Sequence, residues 1–138
     1  MRALVLTLAL ALPLPVLAQE GPYGVAIVQA PEQSWGIAMG LTPGDALKAA
    51  TEMCVQGGAS ALDCAPTNWC LPAGWTVTVG VMHPEGIHWS ESVCGLPSRH
   101  TAEAVAAALC NPASREFAMA ECALAQIYDP DGNPVLPY

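Results

Sequence analysis

His83-Pro84-Glu85-Gly86-Ile87-His88 is the one short stretch of the chain that gathers metal-ligand residue types, two imidazoles and a carboxylate. Zinc or copper needs three or four such groups converging at about 2.0–2.3 Å. His100 offers a further imidazole at the start of a helix. Pro84 and Gly86 mark a turn, however, so His83 and Glu85 flank it while His88 falls on the returning strand. The expectation is that these side chains diverge. His83, Glu85 and His88 thus carry an alternative reading, a small metal-binding protein or hydrolase, and the main reading assigns no metal and no cofactor.

Other chemistries find less support. The chain has no Gly-x-Ser-x-Gly elbow, no Cys-x-x-Cys and no Cys-x-x-Cys-His, the spacings that announce a nucleophilic serine, a redox pair or covalent haem. Glu32, Glu85 and Glu91 are carboxylates of the kind a glycosidase pairs, but any acidic domain supplies such residues. Asp129-Pro130-Asp131-Gly132-Asn133 has the acids of a calcium loop without its ligand spacing or terminal glutamate, and reads as a turn. No catalytic residue is assigned. Trp35, Trp69, Trp75 and Trp89 could form an aromatic face for a sugar or partner, although packing beside disulfides is the more ordinary use.

Residues 1–18 read as a secretory signal peptide: Arg2, an apolar run from Ala3 to Leu17, and Val16-Leu17-Ala18 before a cut. Pro13 and Pro15 break this run, and a spanning helix needs about 20 apolar residues, so no stable membrane insertion is expected after its removal. The mature chain retains Lys48, Arg99 and Arg115 against all 12 acidic residues. That balance argues against nucleic-acid backbones and anionic lipids, which are bound through Lys and Arg. All six cysteines, Cys54, Cys64, Cys70, Cys94, Cys110 and Cys122, lie beyond the signal. An even number in an oxidising compartment reads as three disulfides, of open connectivity. The expected location is periplasmic or secreted.

The elements that must position these residues come in two similar sets. Tyr23, Pro31-Glu32, Trp35, Gly40-Leu41, Thr42, Ala46, Cys54 and Cys64 are followed, 52 to 58 positions later, by Trp75, Pro84-Glu85, Trp89, Gly95-Leu96, Ser98, Ala102, Cys110 and Cys122. The apolar runs Gly24–Val28 and Trp35–Met39 flank a short polar turn and suggest a β-hairpin. Thr42, Pro43 and Asp45 form a helix start, and Ala46, Leu47, Ala50, Met53 and Cys54 share one helical face before Gly57-Gly58. A third strand is expected from Ala61 through Cys64 to Cys70, interrupted by Pro66. The second set gives a hairpin from Trp75–Val79 and Ile87–Val93, then a helix from Ser98 to Cys110 stopped by Asn111-Pro112. Phe117 to Tyr128 has mixed signals, and analogy with the first set makes its end a strand.

The expected fold is α+β, two pseudo-repeated β-hairpin–helix–strand units (about 23–70 and 75–128) in one disulfide-stapled domain, 19–128, with a turn-rich tail, 129–138. If Cys54–Cys64 closes a loop in the first unit, Cys110–Cys122 is its counterpart and Cys70–Cys94 ties the units together. The match also gives Trp35 and Trp89 a structural role. Function would then reside among unmatched residues such as His83, His88, Cys94 and the Asp129–Asn133 tail.

Tyr23-Gly24-Val25-Ala26-Ile27, Trp35-Gly36, Thr42, Ala46, Ala50, Cys54, Cys64, Trp69-Cys70 and the alanine-rich helix to Cys110 followed by Cys122 resemble the secreted bacterial family of domain of unknown function 4189. The resemblance spans most of residues 23–128. It implies an exported, disulfide-containing domain and supplies no activity. The Cys54-to-Cys64 loop, Cys94 and the tail after Tyr128 depart from the family pattern. The functional expectation is a non-catalytic binding or interaction module, inhibitor-like or immunity-like, directed at an unknown protein or envelope component.

Overall fold

Strand parity explains most of the architecture. In the computed structural model, which describes residues 23–135, the order is β1 (Gly24–Ala30), β2 (Ser34–Gly40), α1 (Pro43–Gln56), β3 (Ala65–Cys70), β4 (Trp75–Met82), β5 (His88–Leu96), α2 (Arg99–Leu109), a single 3-10 turn (Pro112–Ser114) and β6 (Glu121–Tyr128). The proposed signal peptide lies outside the described residues. The strands form two three-stranded antiparallel sheets, ordered β2-β1-β3 and β5-β4-β6. The fold is α+β.

Successive strand residues point to opposite faces. Ala26, Val28 and Ala30 of β1 pack with Ala46, Ala50 and Cys54 of α1. Likewise Val77, Val79 and Val81 of β4 pack with Ala102 and Ala106 of α2. The alternate residues turn away from the helices yet are also buried: Val25 and Ile27 in the first sheet, Thr76 and Thr78 in the second. Each sheet therefore covers the inner face of the other, with one helix on each outside. Cys70–Cys94 joins β3 to β5 between the sheets, and Val25 and Cys94 share a small core cluster with Ile37 and Met39 against it.

The helices begin where their caps allow. Thr42 accepts the Asp45 amide at 3.2 Å and donates to its carboxylate at 2.7 Å, and Ser98 accepts the Thr101 amide at 3.1 Å. Each hydroxyl satisfies one otherwise orphaned amide of the first turn. Cys54–Cys64 and Cys110–Cys122 fasten the end of each helix to the chain that comes after it. Helix α1 lies close enough to β2 that a Cβ at Gly36 would overlap the Ala50 carbonyl oxygen. Only glycine permits that approach.

The third strand differs from expectation. Residues 61–63 form a turn, and β3 begins after Cys64, at Ala65. Pro66 is accommodated because β3 is an edge strand, where a missing amide donor is tolerated, and because the ladder slips there: Ile27 pairs with Asn68 and Val28 with Pro66. The bulged Thr67 donates its hydroxyl to the Ile27 carbonyl at 3.2 Å. The turn-rich tail folds back onto β6 as far as it is described. Val135 donates its amide to Ile127 at 3.0 Å, Tyr128 bridges Pro134, and Val135 packs against the second core.

Candidate functional site

Pro31 and Pro84 hold the first central positions of two hairpin turns, and both hairpin tips lie at one end of the sandwich. Between them opens a cleft of about 400 Å³. One wall is the end of the first sheet, Gln29 and Ala30 with Glu32, Gln33, Ser34 and Trp35; the other is the end of the second, Gly80 to Met82, His88 to Ser90, Glu121 and Ala123. Register places Gly80, Met82, His88, Ser90, Glu121 and Ala123 on the same inner face, since Gly80 pairs with Ser90 and Ala123, and Met82 with His88 and Glu121. Nothing lies within 4 Å of where a Cβ on Gly80 would stand. That missing side chain leaves the floor open.

Gln29 anchors the two walls. With its amide oriented to suit both groups, it donates to the Ser90 carbonyl at 2.8 Å and accepts the Ser90 amide at 2.7 Å. A side-chain amide thus takes the place of a neighbouring strand on the edge of β5. Trp35 pairs in register with Gln29 and so points inward; it is 36% exposed and meets Tyr128 edge-on at 6.4 Å between centroids.

The matched tryptophans are not equivalent. Trp89 pairs with Val81 and packs on the helix side of its sheet, against Phe117 at 5.3 Å, with its indole donating to Glu91 at 2.9 Å. Trp35 lies on the opposite kind of face and borders the cleft. The Trp89 ring packs in the second core, as the structural expectation had it for both, while the Trp35 ring is exposed at the cleft. A difference of one residue in strand parity reverses the face, so their match in sequence does not carry over to their surroundings.

Electrostatics are acidic at the cleft. Arg115 is held by Glu91 at 2.8 Å and by the Leu109 carbonyl, and Arg99 by Glu103 at 2.9 Å. Glu32 and Glu121 are exposed and have no cation partner among the described residues. Glu32 stands at the second central position of the turn Ala30–Gln33, closed by the Gln33 amide on the Ala30 carbonyl at 3.1 Å, with φ of 61°. Glycine or asparagine is the usual occupant of that left-handed position.

The three residues named for the metal alternative do not all lie together. His83 and Glu85 remain in the turn, where the Glu85 amide donates to His83 Nδ1 at 3.2 Å and the carboxylate stands 3.7 Å from the same nitrogen. His88 lies instead on the exposed cleft floor. Among the described residues no three His, Cys, Asp or Glu side chains are placed to hold a metal ion. The turn itself separates them: the Gly86 amide closes on the His83 carbonyl at 2.9 Å, Gly86 takes φ of 90°, and His88 starts the returning strand. Asp129 is likewise committed, accepting the amides of Asp131 at 3.0 Å and Asn133 at 2.8 Å.

All six cysteines are in disulfides, Cys54–Cys64, Cys70–Cys94 and Cys110–Cys122, so no thiolate is present. Among the described residues no helix is long and apolar enough to cross a membrane. Searches with the whole chain matched no known protein family, no curated protein and no solved structure.

Proposed function

We propose that the protein is an exported, disulfide-stapled binding module, non-catalytic, whose recognition surface is the cleft between the two hairpin tips. The cleft carries this reading: it combines an exposed tryptophan, an open glycine floor and uncommitted polar side chains in a pocket of the size small ligands and side-chain anchors use. Rigidity supports the same reading. Both walls are held by sheet ladders, by the Gln29–Ser90 bonds and by the disulfides, so little order remains to be gained on binding.

Export to an oxidising compartment rests on the signal-like residues 1–18 and the three disulfides. The two halves are read as copies of one unit, since each runs strand, strand, helix, strand with its first strand central in its sheet. Kinship with the family of domain of unknown function 4189 belongs to the same proposal and rests on the run Tyr23–Ile27, Trp35-Gly36, the two capped alanine-rich helices and the cysteines that end them.

The test is retention of envelope proteins by the immobilised oxidised protein, beside a Gly80→Leu variant whose added side chain enters the cleft. A partner retained by the parent and lost by the variant supports the cleft as the recognition surface. Equal retention by both removes it.

A further inference from the structure

We propose that the cleft takes an arginine side chain from a partner polypeptide, its guanidinium seated between the Glu32 and Glu121 carboxylates beside Trp35. This rests on the reading of the cleft as a recognition surface and adds the chemistry of its occupant.

Charge is the first argument. Two arginines of the chain are occupied by Glu91 and Glu103, whereas the two carboxylates bordering the cleft have no cation among the described residues. A guanidinium is planar, carries donors in a fixed fork that suits carboxylates, and stacks on indole; it is also less strongly hydrated than an ammonium, which favours entry into a partly apolar pocket. Trp35, Met82 and Ala123 supply apolar surface for the side-chain stem, and Gly80 leaves room for it.

The backbone at Glu32 is the second argument. A glutamate held at φ of 61° sits where glycine would be more comfortable. Its carboxylate makes no ion pair within the described residues, so no cation of the chain offsets that cost. A guanidinium bound there would supply the partner that the chain does not. Stability and binding are then opposed at this residue.

The experiment uses the oxidised protein, immobilised, and two matched pools of randomised octapeptides, one with a central arginine and one with citrulline, its neutral isostere. The expected result is at least tenfold greater retention from the arginine pool, lost in Gly80→Leu, reduced about tenfold in Glu32→Gln and Glu121→Gln, and unchanged in Glu52→Gln, whose carboxylate is exposed on α1 away from the cleft. Glu32→Gly should melt at a higher temperature than the parent while binding as poorly as Glu32→Gln. Equal retention of both pools, retention of neither, or equal losses from Glu52→Gln overturns the arginine proposal. If Gly80→Leu abolishes binding of both pools alike, the cleft survives as the surface and only its cationic occupant falls. If Gly80→Leu changes nothing that is retained, the cleft itself falls.

Discussion

Asp129 shows how one side chain sets the course of the chain end. Its carboxylate accepts amides from Asp131 and Asn133 and the Asn133 side chain, and the Asn133 backbone bond is the main cause that lowers its pKa below the ordinary aspartate value. A group depressed in the folded state stabilises it above the unfolded pKa and loses that contribution as pH falls through the folded value. The protection factor of the Val135 amide, bonded to Ile127, should therefore hold constant through neutral and mildly acidic pH and fall at strongly acidic pH. Asp129→Ala should show the low protection at every pH, and unchanged protection would break the link between this carboxylate and the docked tail. The turn was legible from its proline, glycine and acids. Its return onto β6 was not, because no local spacing encodes which strand a terminus will meet.

Secondary elements were the most legible scale, and the errors among them have physical causes. Thr42 and Ser98 announced both helices, since a capping hydroxyl ahead of an alanine-rich face is a local signal. Thr76-Val77-Thr78-Val79 alternates, but alternation only separates two faces and does not say that both are covered. Thr76 and Thr78 are each 1% exposed. Thr78 shares a 2.8 Å hydroxyl contact with Ser92, whereas the Thr76 hydroxyl has no partner among the described residues. Burying an unsatisfied hydroxyl costs about 1–3 kcal/mol, so isosteric Thr76→Val should raise stability by about 1 kcal/mol in chemical denaturation with an unchanged m-value. A lower midpoint would show that the hydroxyl is bonded in solution. Gly36→Ala should act in the other direction, destabilising by about 3 kcal/mol, because its Cβ meets helix backbone that cannot turn aside. A loss below about 0.5 kcal/mol would mean that α1 can shift freely.

At the scale of the molecule, the cleft exists because two sheets face one another with both hairpin tips at the same end, a relation between residues some 50 positions apart that neither hairpin encodes alone. That is why Trp35 was grouped with Trp89 although their strands present them to opposite faces. The cysteines bear on this scale most directly. Loop entropy alone gives each bridge about 3 kcal/mol, with less than about 1 kcal/mol separating their loops of 10, 24 and 12 residues. What distinguishes them is the elements they join: Cys54–Cys64 and Cys110–Cys122 stay within one half, and Cys70–Cys94 is the only disulfide between the sheets. Replacing Cys70 and Cys94 by alanine should therefore accelerate amide exchange on the inner strands β1 and β4 together, while replacing Cys54 and Cys64 should accelerate it first around α1 and β3. The two replacements hold total stability loss nearly constant and change only its distribution, which is the quantity local unfolding reports. Identical exchange patterns from the two variants would mean that the sandwich opens as a single cooperative unit and that the inter-sheet bridge has no special part in holding the cleft walls in register.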